Sequence, residues 1–174
     1  MNTRERTSLL PDIQSHPDAR RLAIDAVGIK GLRYPVTIRS GGADQSTVAT
    51  FSMTVGLEAT LKGTHMSRFV ELLEDRARSI DQQRFRAMVI DMLERLGATT
   101  GTVEMRFPYF VSKQAPVSGV ASLIDVDVCW RGSVDAAGVY AFNMQLTAAA
   151  TSLCPCSKEI SAYGAHNQRS HIMI

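Results

Sequence analysis

The chain has 174 residues, a formal net charge of +2, 45% hydrophobic residues and 21% charged residues. That length suits one domain, or slightly more, with a sizeable core. The near balance of charge does not imply nucleic acid, and no apolar run approaches the ~20 residues of a membrane span.

Residues 1–20 are polar, contain Pro11 and Pro17, and read as an N-terminal arm with no signal-peptide apolar core. A first strand is predicted around Tyr34 to Arg39, closed by a hairpin loop at Gly41-Gly42. Ala49, Phe51, Met53 and Val55 then alternate with Val48, Thr50, Ser52 and Thr54, the period-2 pattern of a half-buried strand. Two helices follow. Phe69, Leu72 and Leu73 share one face of residues 68–78, and Phe85, Met88, Val89, Met92, Leu93 and Leu96 keep helical spacing. Ser79 or Asp81 can cap the second helix and Gly97 can end it. Arg76, Arg78, Arg84 and Arg86 read as solvated helix faces.

Three further strands are predicted, carrying Val103–Phe107, Val120–Trp130 and Val139–Ala148 in strict alternation. The order of elements is ββααββ(β). Strands and helices do not alternate as in βαβ units, so an α+β fold is expected, with an antiparallel sheet and a helix pair on one face. No GxxxxGKS or GxGxxG phosphate loop is present.

Residues 151–171 hold two of the three cysteines and two of the four histidines. An odd number of cysteines without an export signal argues against a disulfide framework, and a cytoplasmic protein is expected. Cys154-Pro155-Cys156 alone does not define a zinc site. Its prolyl, polar setting suggests a turn with at least one exposed thiol. Cys129, mid-strand, reads as packing. His166 lies beyond a stretch, 157–163, that can form a short helical turn, and Gly164-Ala165 allow the backbone to turn tightly. A Cys and a His so placed suit a divalent metal, with zinc matching the thiolate best, or a Cys–His nucleophile pair. The polar run Asn167–His171 can orient such ligands or bind an anionic substrate. The segment Lys62–Arg68 enters the first helix, where an anion site or a plain cap are both open readings. Residues 113–119 read as an ordinary turn between strands.

Several of these motifs together resemble one family. Lys62-Gly-Thr-His-Met-Ser-Arg-Phe-Val70, Ala115-Pro-Val-Ser-Gly119, Thr151-Ser-Leu-Cys-Pro-Cys-Ser-Lys158 and Tyr163-Gly-Ala-His-Asn-Gln-Arg-Ser-His171 look like GTP cyclohydrolase type IB, a prokaryotic enzyme of folate synthesis. Leu32-Arg-Tyr-Pro35 and Ser46-Thr-Val-Ala49 also match, so the resemblance runs from about Pro11 to Ile174.

The resemblance implies a tunnelling fold (T-fold) with two modules per subunit, a homotetramer, and conversion of GTP and water to 7,8-dihydroneopterin triphosphate and formate. It implies a divalent metal (zinc, manganese or iron) held by Cys154 and His166, with Cys154 also at the position suspected of being catalytic. His65, Ser67 and Arg68 are candidates for substrate binding. Residues 21–174 would then be the first module and the first part of the metal site. Family members continue for on the order of half as much chain again, and that part holds a Glu and a His ligand with no counterpart here. This chain alone is therefore expected to be inactive. Two other readings stay open: a tunnelling-fold nitrile reductase of queuosine synthesis, which His166 disfavours, and a non-enzymatic zinc-binding module.

Overall fold

A computed structural model describes residues 19–160, 162 and 166–174. The expected arm lies outside this range except for Ala19 and Arg20, an exposed turn. The elements run β1 (Ile24–Ser40), β2 (Ala43–Leu57), α1 (Ser67–Arg76), α2 (Gln82–Leu96), β3 (Gly101–Gln114), β4 (Ala121–Val134), β5 (Tyr140–Leu153), α3 (Pro155–Ile160) and β6 (Asn167–Met173). The class is α+β as expected, but the order departs from ββααββ(β) at its end, where α3 and a sixth strand follow β5.

The six strands form one sheet in the order β1-β2-β3-β4-β5-β6, every pair antiparallel. Short turns join β1 to β2, β3 to β4 and β4 to β5, while α1 and α2 lie between β2 and β3 and α3 between β5 and β6. Between β1 and β2, Gly41 and Gly42 have φ of 58° and 81°, the positive pair that a two-residue hairpin needs to match strand twist. Of the 113–119 segment, residues 115–119 form the expected turn, closed by Ala115 N–H to Val120 O at 2.9 Å, while Lys113 and Gln114 belong to β3 and pair with Ser122 and Ala121 of β4.

β1 is far longer than its predicted core. It carries register shifts between Ile24 and Val27 and between Ile29 and Leu32. Each shift inserts residues that break the two-residue period, which is why only the regular stretch after Arg33 was visible as alternation.

α2 begins at Asp81, whose Oδ1 accepts the Arg84 N–H at 2.7 Å, and ends at Gly97, whose φ of 61° suits a left-handed cap. Both helices lie on one sheet face. Phe69, Leu72 and Leu73 from α1 and Phe85, Met88, Val89 and Met92 from α2 are buried with Phe51, Met53, Met105 and Trp130 of the sheet. Trp130 meets Phe85, Phe107 and Phe142 edge-on, with ring centroids 5.6, 5.7 and 5.7 Å away.

The other face of the sheet is polar. Thr50, Ser52 and Thr54 of β2 pair across to Arg106, Glu104 and Thr102 of β3, and Cys129 and Arg131 of β4 continue the row. Cys129 therefore does not pack in the core as expected. It sits half-buried beside Arg106, and partial burial pushes its thiol above the ordinary range. No helix among the described residues is long and apolar enough to cross a membrane.

Candidate functional site

Cys154 follows the last residue of β5 and precedes α3. Its carbonyl accepts the Lys158 N–H at 3.2 Å, the first helical bond of α3, so Cys154 is the N-cap of that helix. The β5–β6 ladder runs as far as Leu153↔Asn167, and the next pair outward is Cys154 and His166. The Cys154 N–H donates to the His166 carbonyl at 3.2 Å. Strand pairing thus brings together the two residues that the sequence singled out. The Gly164-Ala165 turn inferred between them lies outside the described residues.

The side chains are joined through Ser157, which sequence reasoning did not single out. Its Oγ lies 2.5 Å from Nδ1 of His166. It also faces Cys154. The Cys154 thiol is held below its ordinary range first by the Ser157 backbone N–H and then by the Ser157 hydroxyl. Burial opposes this, and the Cys156 N–H and thiol add to it. A hydroxyl has one proton. If it goes to Cys154 Sγ, the bond to the imidazole is a donation from Nδ1–H, which leaves Nε2 with its lone pair. The signal that could have found Ser157 is its spacing. Three residues after an N-cap is the position that reaches back to the capping side chain.

A thiol biased toward thiolate and an imidazole with a free nitrogen form a donor set that fits a borderline divalent metal such as zinc. Cys154 is 8% exposed, which limits competition from water. Two donors do not complete a site, and among the described residues no third His, Cys, Asp or Glu joins them. Cys156 is exposed. His171 stands on β6 opposite Ala149, four positions along the strand from Asn167. The polar run Asn167–His171 is an edge strand, exposed throughout. Water on both faces explains why it shows no apolar alternation.

His65, Ser67 and Arg68 lie at the start of α1, away from this cluster. α1 packs on α2 and β1, whereas Cys154 follows β5, four places from β1 in the sheet order. Ser67 is exposed and opens the helix without a side-chain cap from Met66. The His65 carbonyl accepts the Arg68 N–H at 3.2 Å. The Arg68 guanidinium donates from Nη1 to the Arg95 carbonyl at 2.7 Å, closing the last turn of α2. A phosphate contact by Arg68 would compete with that bond.

A family model described as type I GTP cyclohydrolase folE2 matches residues 10–174. Among curated proteins, the chain is 53% identical over 167 residues to GTP cyclohydrolase FolE2 of Azoarcus sp. (strain BH72), covering 95% of this chain and 62% of that protein. It is 54% identical over 166 residues to GTP cyclohydrolase FolE2 1 of Dechloromonas aromatica (strain RCB), with 95% and 62% covered. It is 48% identical over 174 residues to GTP cyclohydrolase FolE2 of Aromatoleum aromaticum, with 99% and 64% covered. The chain therefore spans somewhat less than two thirds of the length of these relatives. With a match that runs through β1 to β6 and both halves of the Cys154–His166 cluster, the chain belongs to the type I GTP cyclohydrolase folE2 family.

Proposed function

We propose that the protein is a metal-dependent GTP cyclohydrolase of type IB, catalysing the first step of tetrahydrofolate biosynthesis: GTP and water to 7,8-dihydroneopterin triphosphate and formate. The observation that carries this reading is the joining of Cys154, Ser157 and His166 into one hydrogen-bonded cluster, within a chain whose relatives bear the cyclohydrolase name. The same cluster and family match favour cyclohydrolysis over nitrile reduction.

In this reading Cys154 Sγ and His166 Nε2 hold a divalent ion, with zinc, manganese and iron as candidates. Bound there, such an ion would lower the pKa of a water so that it attacks C8 of the guanine ring. Ser157 fixes both ligands: its hydroxyl holds the imidazole by Nδ1 and donates toward the thiolate, so neither side chain has to reorganise on binding.

His65 and Ser67 are proposed as substrate-binding residues, with Arg68 the weaker candidate because its guanidinium already holds Arg95. Their position away from Cys154 in the sheet order favours a homo-oligomer in which one copy's α1 approaches another copy's β5–β6 end; the family resemblance implies that this oligomer is a homotetramer of tunnelling-fold subunits.

The test is formate release from GTP together with metal content, measured on the purified full-length protein and on Cys154→Ala. Loss of both supports the assignment. An alanine variant that keeps metal and turnover removes Cys154 from the mechanism.

A further inference from the structure

The polar face of the sheet carries charge in an ordered pattern that the Cys154 cluster does not use. Strand register sets two adjacent rows across it. Arg33, Thr50, Arg106, Cys129 and Gln145 stand side by side from β1 to β5. Ser52, Glu104, Arg131 and Asn143 form the next row, from β2 to β5. Arg33 and Arg106 are therefore two strand spacings apart, roughly 10 Å between Cα atoms. Arg106 and Arg131 are diagonal neighbours, roughly 7–8 Å apart. Two hollows of about 570 and 550 Å³ open over these rows, and Arg106, Cys129 and Gln145 line both. Arg33 lines the first hollow and Arg131 the second.

The cations of this floor are only partly engaged. Glu104 Oε1 accepts from Arg106 Nε at 2.8 Å, which leaves the two terminal nitrogens of Arg106 to the hollows. The guanidinium groups of Arg33 and Arg131 have no hydrogen bond or ion pair among the described residues. Asp127, which lines the first hollow, is the opposing charge, and the two unpaired guanidiniums outnumber it. Thr50, Asn143 and Gln145 add neutral donors between the cations.

We propose that the polar sheet face binds an oligophosphate, either free or as the phosphate chain of a nucleotide, across Arg33, Arg106 and Arg131. Guanidinium matches phosphate with parallel N–H donors. Three guanidiniums spread over two rows and three strands suit several linked phosphates better than one. The place is distinct from the Cys154 cluster, because Gln145 precedes Cys154 by nine residues, roughly 30 Å of extended strand. Binding here does not depend on the reaction at Cys154, so its failure and the failure of the cyclohydrolase reading are separate results.

The experiment is calorimetric titration of the purified full-length protein at low salt with inorganic tripolyphosphate and, separately, with ATP. Both should bind saturably. Arg33→Gln and Arg131→Gln should each weaken both ligands by about tenfold, the loss expected for one charge-assisted contact. Both side chains are exposed, so glutamine should keep the fold, which an unchanged melting temperature verifies. Lys113→Gln removes one charge farther along β3, outside the hollows, and should leave both affinities unchanged. Saturating tripolyphosphate should also slow alkylation of Cys129, located by peptide mapping, and the Arg33→Gln/Arg131→Gln double variant should lose that protection. No saturable binding of tripolyphosphate, equal affinity in the double variant, an equal loss in Lys113→Gln, or an unprotected Cys129 overturns the proposal. So does binding of ATP alone, which would assign recognition to the nucleoside.

Discussion

The Ser157 hydroxyl bonds Nδ1 of His166 while the same residue donates, through backbone and side chain, to Cys154 Sγ. One serine thus couples the two candidate ligands. The Ser157 N–H and hydroxyl hold the Cys154 thiol below its ordinary range against the opposing effect of burial.

Ser157→Ala removes the hydroxyl and keeps the backbone N–H. Without the hydroxyl's hydrogen bond to the charged sulfur, the Cys154 thiol should become harder to ionise. In chelator-treated protein at neutral pH, its alkylation by iodoacetamide should slow by roughly three- to tenfold. Ser157→Thr should restore most of the rate. An unchanged alkylation rate in the alanine variant would show that the hydroxyl does not act on Cys154.

The helix pair is tied by charge as well as by its core. Asp91 of α2 accepts from Arg76 of α1 at 2.9 Å and from Arg95 at 2.9 and 3.1 Å, and Arg95 also meets Asp75 at 2.8 Å. Burial alone would raise the Asp91 carboxyl, but the hydrogen bonds from Arg95 and Arg76 outweigh it and hold the carboxyl below its ordinary range. A carboxyl depressed in the folded state stabilises above its unfolded pKa, about 3.9. That stability is lost as pH falls through the lower folded value. Asp91→Asn should therefore cost about 1–2 kcal/mol at neutral pH, a figure reduced for the exposed Arg76 side of the network. The gap from wild type in urea midpoint should narrow at about pH 3. An equal gap at both pH values would assign the loss to packing instead.

How much of this was legible beforehand depended on where water is. β2, α2 and β4 each have one wet and one dry side, so their periods of 2 and 3.6 stand out, and Asp81 and Gly97 mark the α2 ends correctly. The first half of β1 was hidden by its bulges, and β6 by exposure on both faces. Cys154 and His166 were legible as residue types, but their meeting is a matter of β5–β6 register, which spacing alone does not give. Arg68 looked like an anion ligand because a cation at a helix start often is one. Its partner is a carbonyl 27 residues away in sequence, at the end of α2.

Gly28 marks a constraint on the bulged part of β1. A Cβ there would collide with the Met53 carbonyl, and the Met53 carbon and Thr54 Cα would lie only 2.9 Å away, all backbone atoms of β2. Nothing in that list can swing aside as a side-chain tip could. Gly28→Ala should force β1 off β2 and cost about 2–4 kcal/mol, a large share of a typical domain's stability. Gly41→Asn, in the hairpin turn with open space around its Cβ and a φ that Asn tolerates, should cost less than about 1 kcal/mol. Thermal denaturation of both variants checks the contrast, and similar losses at the two positions would refute the close-approach argument.

The distance between α1 and the Cys154 cluster can itself be tested. If substrate is held by His65 and Ser67 of one copy and transformed at Cys154 and His166 of another, each composite site needs one intact contribution from each copy. Cys154→Ala and His65→Ala, each inactive in the full-length protein, should then complement. After co-refolding at equal amounts, random pairing leaves both contributions intact in roughly a quarter of sites, and formate release from GTP should recover to about that fraction of wild type. Size-exclusion chromatography of the same samples verifies that the copies have mixed. A mixed oligomer with no more activity than the separate variants would place both contributions in one subunit. The α1 start would then have to reach the β5–β6 end within a single chain, across the four strand spacings that separate β1 from β5, which the sheet order opposes.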